Sequence, residues 1–182
     1  MKTISEHVLD IIQNSIRAKA TLIEVIVEES EKNDFYSLII TDNGCGMGKE
    51  VVEKSTDPFF TSRNTRKVGL GLSLLKQNAE RANGYFTIQS EENNGTVVKA
   101  GFQHSNFDRP PLGEIWDVWY FTVASHNNLK LNYRHSTDKG SYEIRSEEIR
   151  ELLEGVSLNQ KEIRVGILEM FKNNLEEIGT TF

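Results

Sequence analysis

Three short stretches of this sequence carry residue types whose spacing can do chemistry together. The first is Asp42-Asn43-Gly44-Cys45-Gly46-Met47. A carboxylate at the end of an extended run can accept a hydrogen bond from an exocyclic amine, and the glycines let the backbone come close to a planar base. The second is Gly69-Leu70-Gly71-Leu72, which opens a helical pattern. Glycines ahead of a helix leave N–H groups facing outward toward a phosphate, and the helix dipole favours its negative charge. The third is Asn14, with Asp10 one turn earlier on the same helical face. An amide oxygen suits a Mg²⁺ ion that keeps several waters and bridges phosphates. A carboxylate one turn away can orient or deprotonate a water.

The elements that must position these residues are readable from periodicity. Apolar side chains at Ile4, Val8, Ile11, Ile12 and Ile16 predict a helix over 4–18, with Ser5 as its cap. Residues 22–28 and 35–41 read as strands joined by a polar turn, the second delivering Asp42. Residues 42–69 read mostly as loop, with one or two helical turns over 50–55. A helix follows over 70–83, with Gly84 in the stop position. Strands over 85–90 and 96–102 flank the hairpin signal Asn93-Asn94-Gly95.

Asp108-Arg109-Pro110-Pro111 breaks the pattern and predicts a boundary between 1–107 and 108–182. Beyond it, Leu112, Ile115, Trp116, Trp119, Tyr120 and Val123 form an apolar helical stripe. Strands over 129–133 and 141–144 surround Asp138-Lys139-Gly140. A short helix starts at Ser146, with Ile149, Leu152 and Leu153 inward and Gly155 closing it. In the last helix Asn159 and Glu162 form a capping box, and Ile163, Ile167, Met170, Phe171 and Leu175 share a face. The order predicts an α+β domain followed by a small α-β-β-α-α appendix.

The chain has 182 residues, 37% hydrophobic and 26% charged, the composition of an ordinary globular protein. Twenty-seven acidic against 21 basic residues leave a net charge of -6. That balance disfavours nonspecific binding to nucleic acid or to anionic membranes, so neither is expected as a partner. The single cysteine, Cys45, excludes an intrachain disulfide and fits a reducing compartment. Without an apolar run of roughly 20 residues or a signal-peptide pattern, the expected location is the cytoplasm.

Taken in order, the motifs resemble those of the GHKL superfamily, which includes the ATP-binding domains of sensor histidine kinases. Residues 8–20 resemble its N box, residues 42–47 its first glycine box, and Asp57-Pro58-Phe59-Phe60-Thr61-Ser62-Arg63 the F box of histidine kinases. Gly69-Leu70-Gly71-Leu72-Ser73 resembles the second glycine box and Gly95-Thr96 the last. The resemblance covers 4–103 and leaves the appendix unexplained. It implies a Bergerat-type two-layer α/β sandwich, a mixed sheet with helices on one face, and ATP and Mg²⁺ as ligands. Asn14 is then the metal ligand and Asp42 the adenine contact, with Gly46 beside the base and Thr96 near it. Gly44, Met47, Phe60, Gly69, Leu70, Gly71 and Leu72 belong to the same implied nucleotide site. Lys67, with Arg63 and Arg66, supplies charge beside the triphosphate. Asp10 stands where the hydrolytic branches of the superfamily carry a glutamate.

Plainer readings stand beside these. Asp-Asn-Gly is good turn chemistry by itself, Asn14 can be a surface polar residue, and paired glycines can serve close packing. Cys45 fills the variable position of its motif or acts as a redox switch. His7 falls on the nucleotide-binding helix itself, and His104, His126 and His135 show no metal-ligand spacing. The Trp116–Trp119–Tyr120 stripe reads as core, as the dock for the appendix, or as a dimer face. A sensor kinase carries its phosphoacceptor region before the N box, and this chain starts close to that box, so the usual self-phosphorylation is not expected. The pattern also resembles small stand-alone bacterial histidine kinase-like ATPases. Three functions remain: a kinase acting on a protein phosphoacceptor, as the anti-sigma serine kinases do; a nucleotide-dependent switch or weak ATPase acting on a regulated partner; and a scaffold.

Overall fold

The computed structural model describes residues 1–56 and 71–182. Twelve elements are described: α1 (Ile4–Arg17), β1 (Leu22–Ser30), β2 (Phe35–Asp42), α2 (Lys49–Lys54), α3 (Gly71–Arg81), β3 (Tyr85–Ser90), β4 (Thr96–Gln103), α4 (Ile115–Ser125), β5 (Lys130–Ser136), β6 (Ser141–Arg145), α5 (Ser146–Leu152) and α6 (Lys161–Glu177). The strands form one six-stranded mixed sheet in the order β3-β4-β2-β1-β5-β6. Among the described strands, only β1 and β5 pair in parallel.

Alternation decides which side of the sheet is covered. Ile23, Val25 and Val27 of β1 face Asp42, Ile40 and Leu38 of β2 across the ladder, and all six are buried. The intervening Glu24 and Glu28 point to the open side and are exposed. The helices line up over the buried side: α3 on β3 and β4, α1 on β1 and β2, α4 on β5, and α6 on β6. Helix α1 lies between α3 and α4. Its Ile4, Val8, Ile11 and Ile12 are each almost fully buried, which contributes about 1.5–3 kcal/mol apiece.

The appendix is no separate layer. Strands β5 and β6 continue the sheet past β1, Leu131 and Tyr133 facing Ile23 and Val25. Trp119 and Tyr120 of α4 are buried in the shared core, and Trp119 Nε1 donates to the Leu131 carbonyl at 3.2 Å. Trp116 is only half-buried and meets Phe182 edge to face. The stripe is therefore core on one side, and it seats the C-terminal half against α1.

Several local expectations give way to tertiary context. Thr3, not Ser5, caps α1, its hydroxyl accepting from the Glu6 N–H. Ser5 is buried instead, with its N–H donating to the Leu112 carbonyl. Asn83, not Gly84, takes the left-handed turn after α3, with φ of 54°. Gly84 is needed for close approach, because a Cβ there would lie 1.8 Å from the Gly101 carbonyl oxygen. Helix α6 begins after Gln160 with no side-chain cap, so the Asn159 capping box does not form. Leu152 is 77% exposed and Met170 37%, outside the faces predicted for them, while Ile167, Phe171 and Leu175 are buried.

At the end of the sheet away from Asp42, a buried polar cluster ties the C-terminus down. The Glu29 carboxylate accepts from His135 Nε2 at 2.9 Å, from the Thr181 N–H at 3.0 Å and from the Thr181 hydroxyl, with His104 Nε2 at 3.2 Å. Burial would raise its pKa, but the hydrogen bonds from His135 and Thr181 outweigh it and hold the carboxyl below its usual range.

Candidate nucleotide site

Helix α1, the β2 terminus, α2, the start of α3 and the β3–β4 hairpin surround a cavity of about 620 Å³. That volume falls within the range of small-molecule sites. The site is built from the β2 terminus outward. Asp42 is 9% exposed, and both its oxygens are engaged. Oδ1 accepts from the Gly44 N–H at 2.8 Å and Oδ2 from the Ser15 hydroxyl at 2.6 Å. Ser15 reaches it because α1 crosses the end of β2, which sets Ser15 facing inward at 2% exposure.

The loop after Asp42 is pinned on three sides. Asn43 Oδ1 accepts from the N–H groups of Thr21 and Leu22 at the start of β1. The Cys45 N–H donates to the Ala18 carbonyl, and the Cys45 carbonyl accepts from the Asn93 N–H. Gly46 is required twice over: its φ is +63°, and a Cβ would lie 1.9 Å from the Glu91 carbonyl oxygen. Gly95, at φ +77°, presses equally close to the backbone of Asp42. The two glycines bring the hairpin turn and the Asp42 loop into backbone contact, and Ile88 and Val98, paired across the ladder, line the apolar wall behind.

At the other end of the cavity, Asn14 Nδ2 donates to Asp10 Oδ2 at 3.1 Å. Asp10 in turn lies on the first residue of α3: a Cβ on Gly71 would sit 1.8 Å from Asp10 Oδ2. The helix N-terminus thus abuts the carboxylate with no side chain between. One turn before Asp10, His7 is buried against α3, and Asn78 Nδ2 lies 2.9 Å from its Nε2, which therefore accepts. Burial, with the nearby N-terminal charge, lowers its pKa to about 4, so the ring is neutral and serves packing.

Of the residues expected from sequence, Asp10, Asn14, Asp42, Gly46, Met47, Gly71, Leu72 and Thr96 line this one cavity. Gly44 stands behind it, bracing Asp42. Phe60, Lys67, Gly69 and Leu70, with Arg63, Arg66 and the F box, lie outside the described residues. The cavity also recruits residues the motif reading left out of the site, Arg17, Val51, Ser55, Ile88, Glu92 and Val98 among them. Arg17 was legible in principle, three residues past Asn14 and so on a neighbouring helical face. The strand and α2 residues become neighbours only through sheet register. Among the described residues, no group of three or more His, Cys, Asp or Glu is placed to hold a metal ion. No helix of the described residues is long and apolar enough to cross a membrane.

Comparison with known proteins matches this architecture to a family. Residues 2–106 match the model of the histidine kinase-, DNA gyrase B-, and HSP90-like ATPases, and the chain belongs to that family. Similar curated proteins include one named "Putative sensor protein" from Shewanella frigidimarina, 36% identical over 96 residues, 52% of this chain and 15% of the relative. The sensor histidine kinase YvrG of Bacillus subtilis is 33% identical over 89 residues, 47% of this chain and 15% of the relative. The chain thus spans about a seventh of the length of these relatives. A solved structure described as the N-terminal domain of a DNA repair protein superposes with a TM-score of 0.55 at 17% identity, covering 80% of this chain and 52% of that one. That likeness concerns the fold.

Proposed function

We propose that this chain binds ATP with Mg²⁺ in the cavity beneath Asp42, and that it acts as a kinase-type phosphotransfer or regulatory protein toward a protein partner. The reading rests on one observation above the others: a buried carboxylate whose two oxygens are held by donors from the protein yet which still faces a cavity of about 620 Å³. A buried carboxylate facing open volume is a recognition group for a ligand donor such as an exocyclic amine. Gly46 supports the reading, because its positive φ and its close approach to the Glu91 backbone fix the loop that puts Met47 on the cavity wall.

Asn14 fits the Mg²⁺ role in donor chemistry. Its amide nitrogen is engaged with Asp10, and the oxygen is the atom a cation would take. When bound, the metal neutralises phosphate charge. Gly71 at the α3 N-terminus and Arg17 would orient the phosphates, while Asp10 would hold a water or an acceptor hydroxyl. Catalysis at such a site consists mostly of positioning.

Titration calorimetry with ATP, with and without Mg²⁺, tests this reading on the wild-type chain and on Asp42→Asn. Magnesium-dependent binding that the substitution weakens by roughly 100-fold is the expected result. Equal binding by both chains would remove Asp42 from the site.

A further inference from the structure

Ser90 stands just behind the cavity, and its hydroxyl is a three-way junction. It lies 2.9 Å from the Met47 N–H, 2.7 Å from the Gly95 carbonyl oxygen and 2.9 Å from Thr96 Oγ. A serine hydroxyl has one proton to give and two lone pairs to receive with. The Gly95 carbonyl can only accept, so the Ser90 proton goes there. The Met47 N–H can only donate, so it takes one lone pair. The contact with Thr96 is then satisfied in one sense only, with the Thr96 hydroxyl donating to Ser90.

That assignment has a consequence inside the cavity, which Thr96 lines and Ser90 does not. With its proton turned to Ser90, Thr96 Oγ presents lone pairs. Ser15 is in the same state, because its proton goes to Asp42 Oδ2. The Asp42 carboxylate accepts as well. The oxygens of these three side chains are therefore all acceptors.

We propose that Ser90 is a specificity-determining positioning residue: by holding the Thr96 proton it makes the polar end of the cavity acceptor-only, which selects an amino purine over an oxo purine. A 6-amine directed at these oxygens finds partners, whereas a 6-oxo oxygen in the same place meets their lone pairs and is left unpaired in a buried site. The contrast lies at that position alone, since N1 of the oxo purine carries a proton that the amino purine lacks. The inference rests on the nucleotide reading above and adds to it the means of discrimination. Ser90 also anchors the Met47 N–H, so it joins the first glycine loop to the β3–β4 hairpin.

The test compares ATP with inosine triphosphate, which carries an oxo group in place of the amine, by calorimetry on the whole chain with circular dichroism as the folding control. The wild-type chain favours ATP. In Ser90→Ala the Thr96 hydroxyl can turn and donate into the cavity, so the ATP-to-inosine-triphosphate affinity ratio narrows by roughly 5-fold, the scale of one hydrogen bond. Ser90→Thr, which keeps a hydroxyl, restores the ratio. In a Thr96→Val background Ser90→Ala leaves the ratio unchanged, since the proton it redirects is gone. A purely structural Ser90 would weaken both nucleotides equally, and an unchanged ratio in Ser90→Ala would overturn this inference while leaving ATP binding intact. Failure of the wild-type chain to bind either nucleotide would overturn the nucleotide reading and this inference together.

Discussion

The sheet ends in two buried carboxylates that look alike in the sequence and differ in their surroundings. Asp42 and Glu29 both lie on the helix-covered side, both are nearly inaccessible, and both accept hydrogen bonds from other elements. Glu29 lies six positions along β1 from Ile23, the partner of Asp42, so the two groups are roughly 20 Å apart along the strands. Glu29 is closed over by Thr181 and two histidines, and its surroundings hold the C-terminus to the sheet. Asp42 is braced from behind and faces open volume bordered by Gly46, where positive φ and the Glu91 backbone admit no side chain. Burial and hydrogen bonding do not distinguish the two carboxylates; the cavity in front of Asp42 does.

The sharpest test of that contrast exchanges each carboxylate for its amide. Asp42→Asn should weaken ATP binding by roughly 100-fold while the chain still folds, since a charge-assisted hydrogen bond to the ligand is lost. Glu29→Gln should do the reverse. Unfolding becomes easier by about 3 kcal/mol, because a buried set of donors loses its charged acceptor, and ATP affinity stays within roughly 2-fold of wild type. Denaturant unfolding and calorimetry on both variants read the two quantities. Similar profiles for the two variants would erase the distinction.

Acid should separate the two halves next. His7 has its pKa lowered from 6.5 to about 4 by burial. Between those values the unfolded chain binds a proton that the folded chain refuses, so stability falls as pH falls through that window. The full effect is about 3 kcal/mol. Glu29 behaves otherwise: its folded pKa lies below 4.5, so its contribution is present above 4.5 and is lost only as pH drops through the folded value. Unfolding free energies measured from pH 7 to pH 4 should slope in the wild type and flatten over that range in His7→Gln. An unaltered slope in that variant would assign the acid sensitivity elsewhere.

A smaller effect is expected at the phosphate end. Gly71→Ala places a methyl group where Asp10 Oδ2 now lies, 1.8 Å from the new carbon, so the carboxylate must swing aside. ATP affinity should fall about 10-fold, the scale of an overpacked contact. In an Asp10→Ala background the same change should cost little. If both backgrounds lose equally, the clash is with something else. Smallest is Ser15→Ala, which removes one brace from Asp42 and should lower ATP affinity about 5-fold in the same titration.

Much of the nucleotide half was legible without tertiary information. The apolar spacing of Ile4, Val8, Ile11 and Ile12 placed α1 and put Asp10 and Asn14 on one face of it, and Asn93-Asn94-Gly95 marked the hairpin that carries Thr96. These signals are local, with the residues that decide them lying within a few positions of one another. The cap of α1 escaped because Ser5 is drawn into a backbone pairing with Leu112, more than a hundred residues away. Met170 and Leu152 escaped because helical periodicity says which residues share a face without saying how wide a stripe the partner covers.

What the sequence determined by itself is the set of elements, their order, and the motifs at their ends, because hydrophobic period, turn residues and glycine placement act over short range. Only the tertiary structure decided that β5 pairs in parallel with β1, so that the C-terminal half extends the sheet of the nucleotide half. It alone set Asp42 on a cavity and closed Glu29 over with the C-terminus. Both outcomes rest on contacts between residues far apart in the chain, where strand register and the volume left between packed elements decide what each side chain meets.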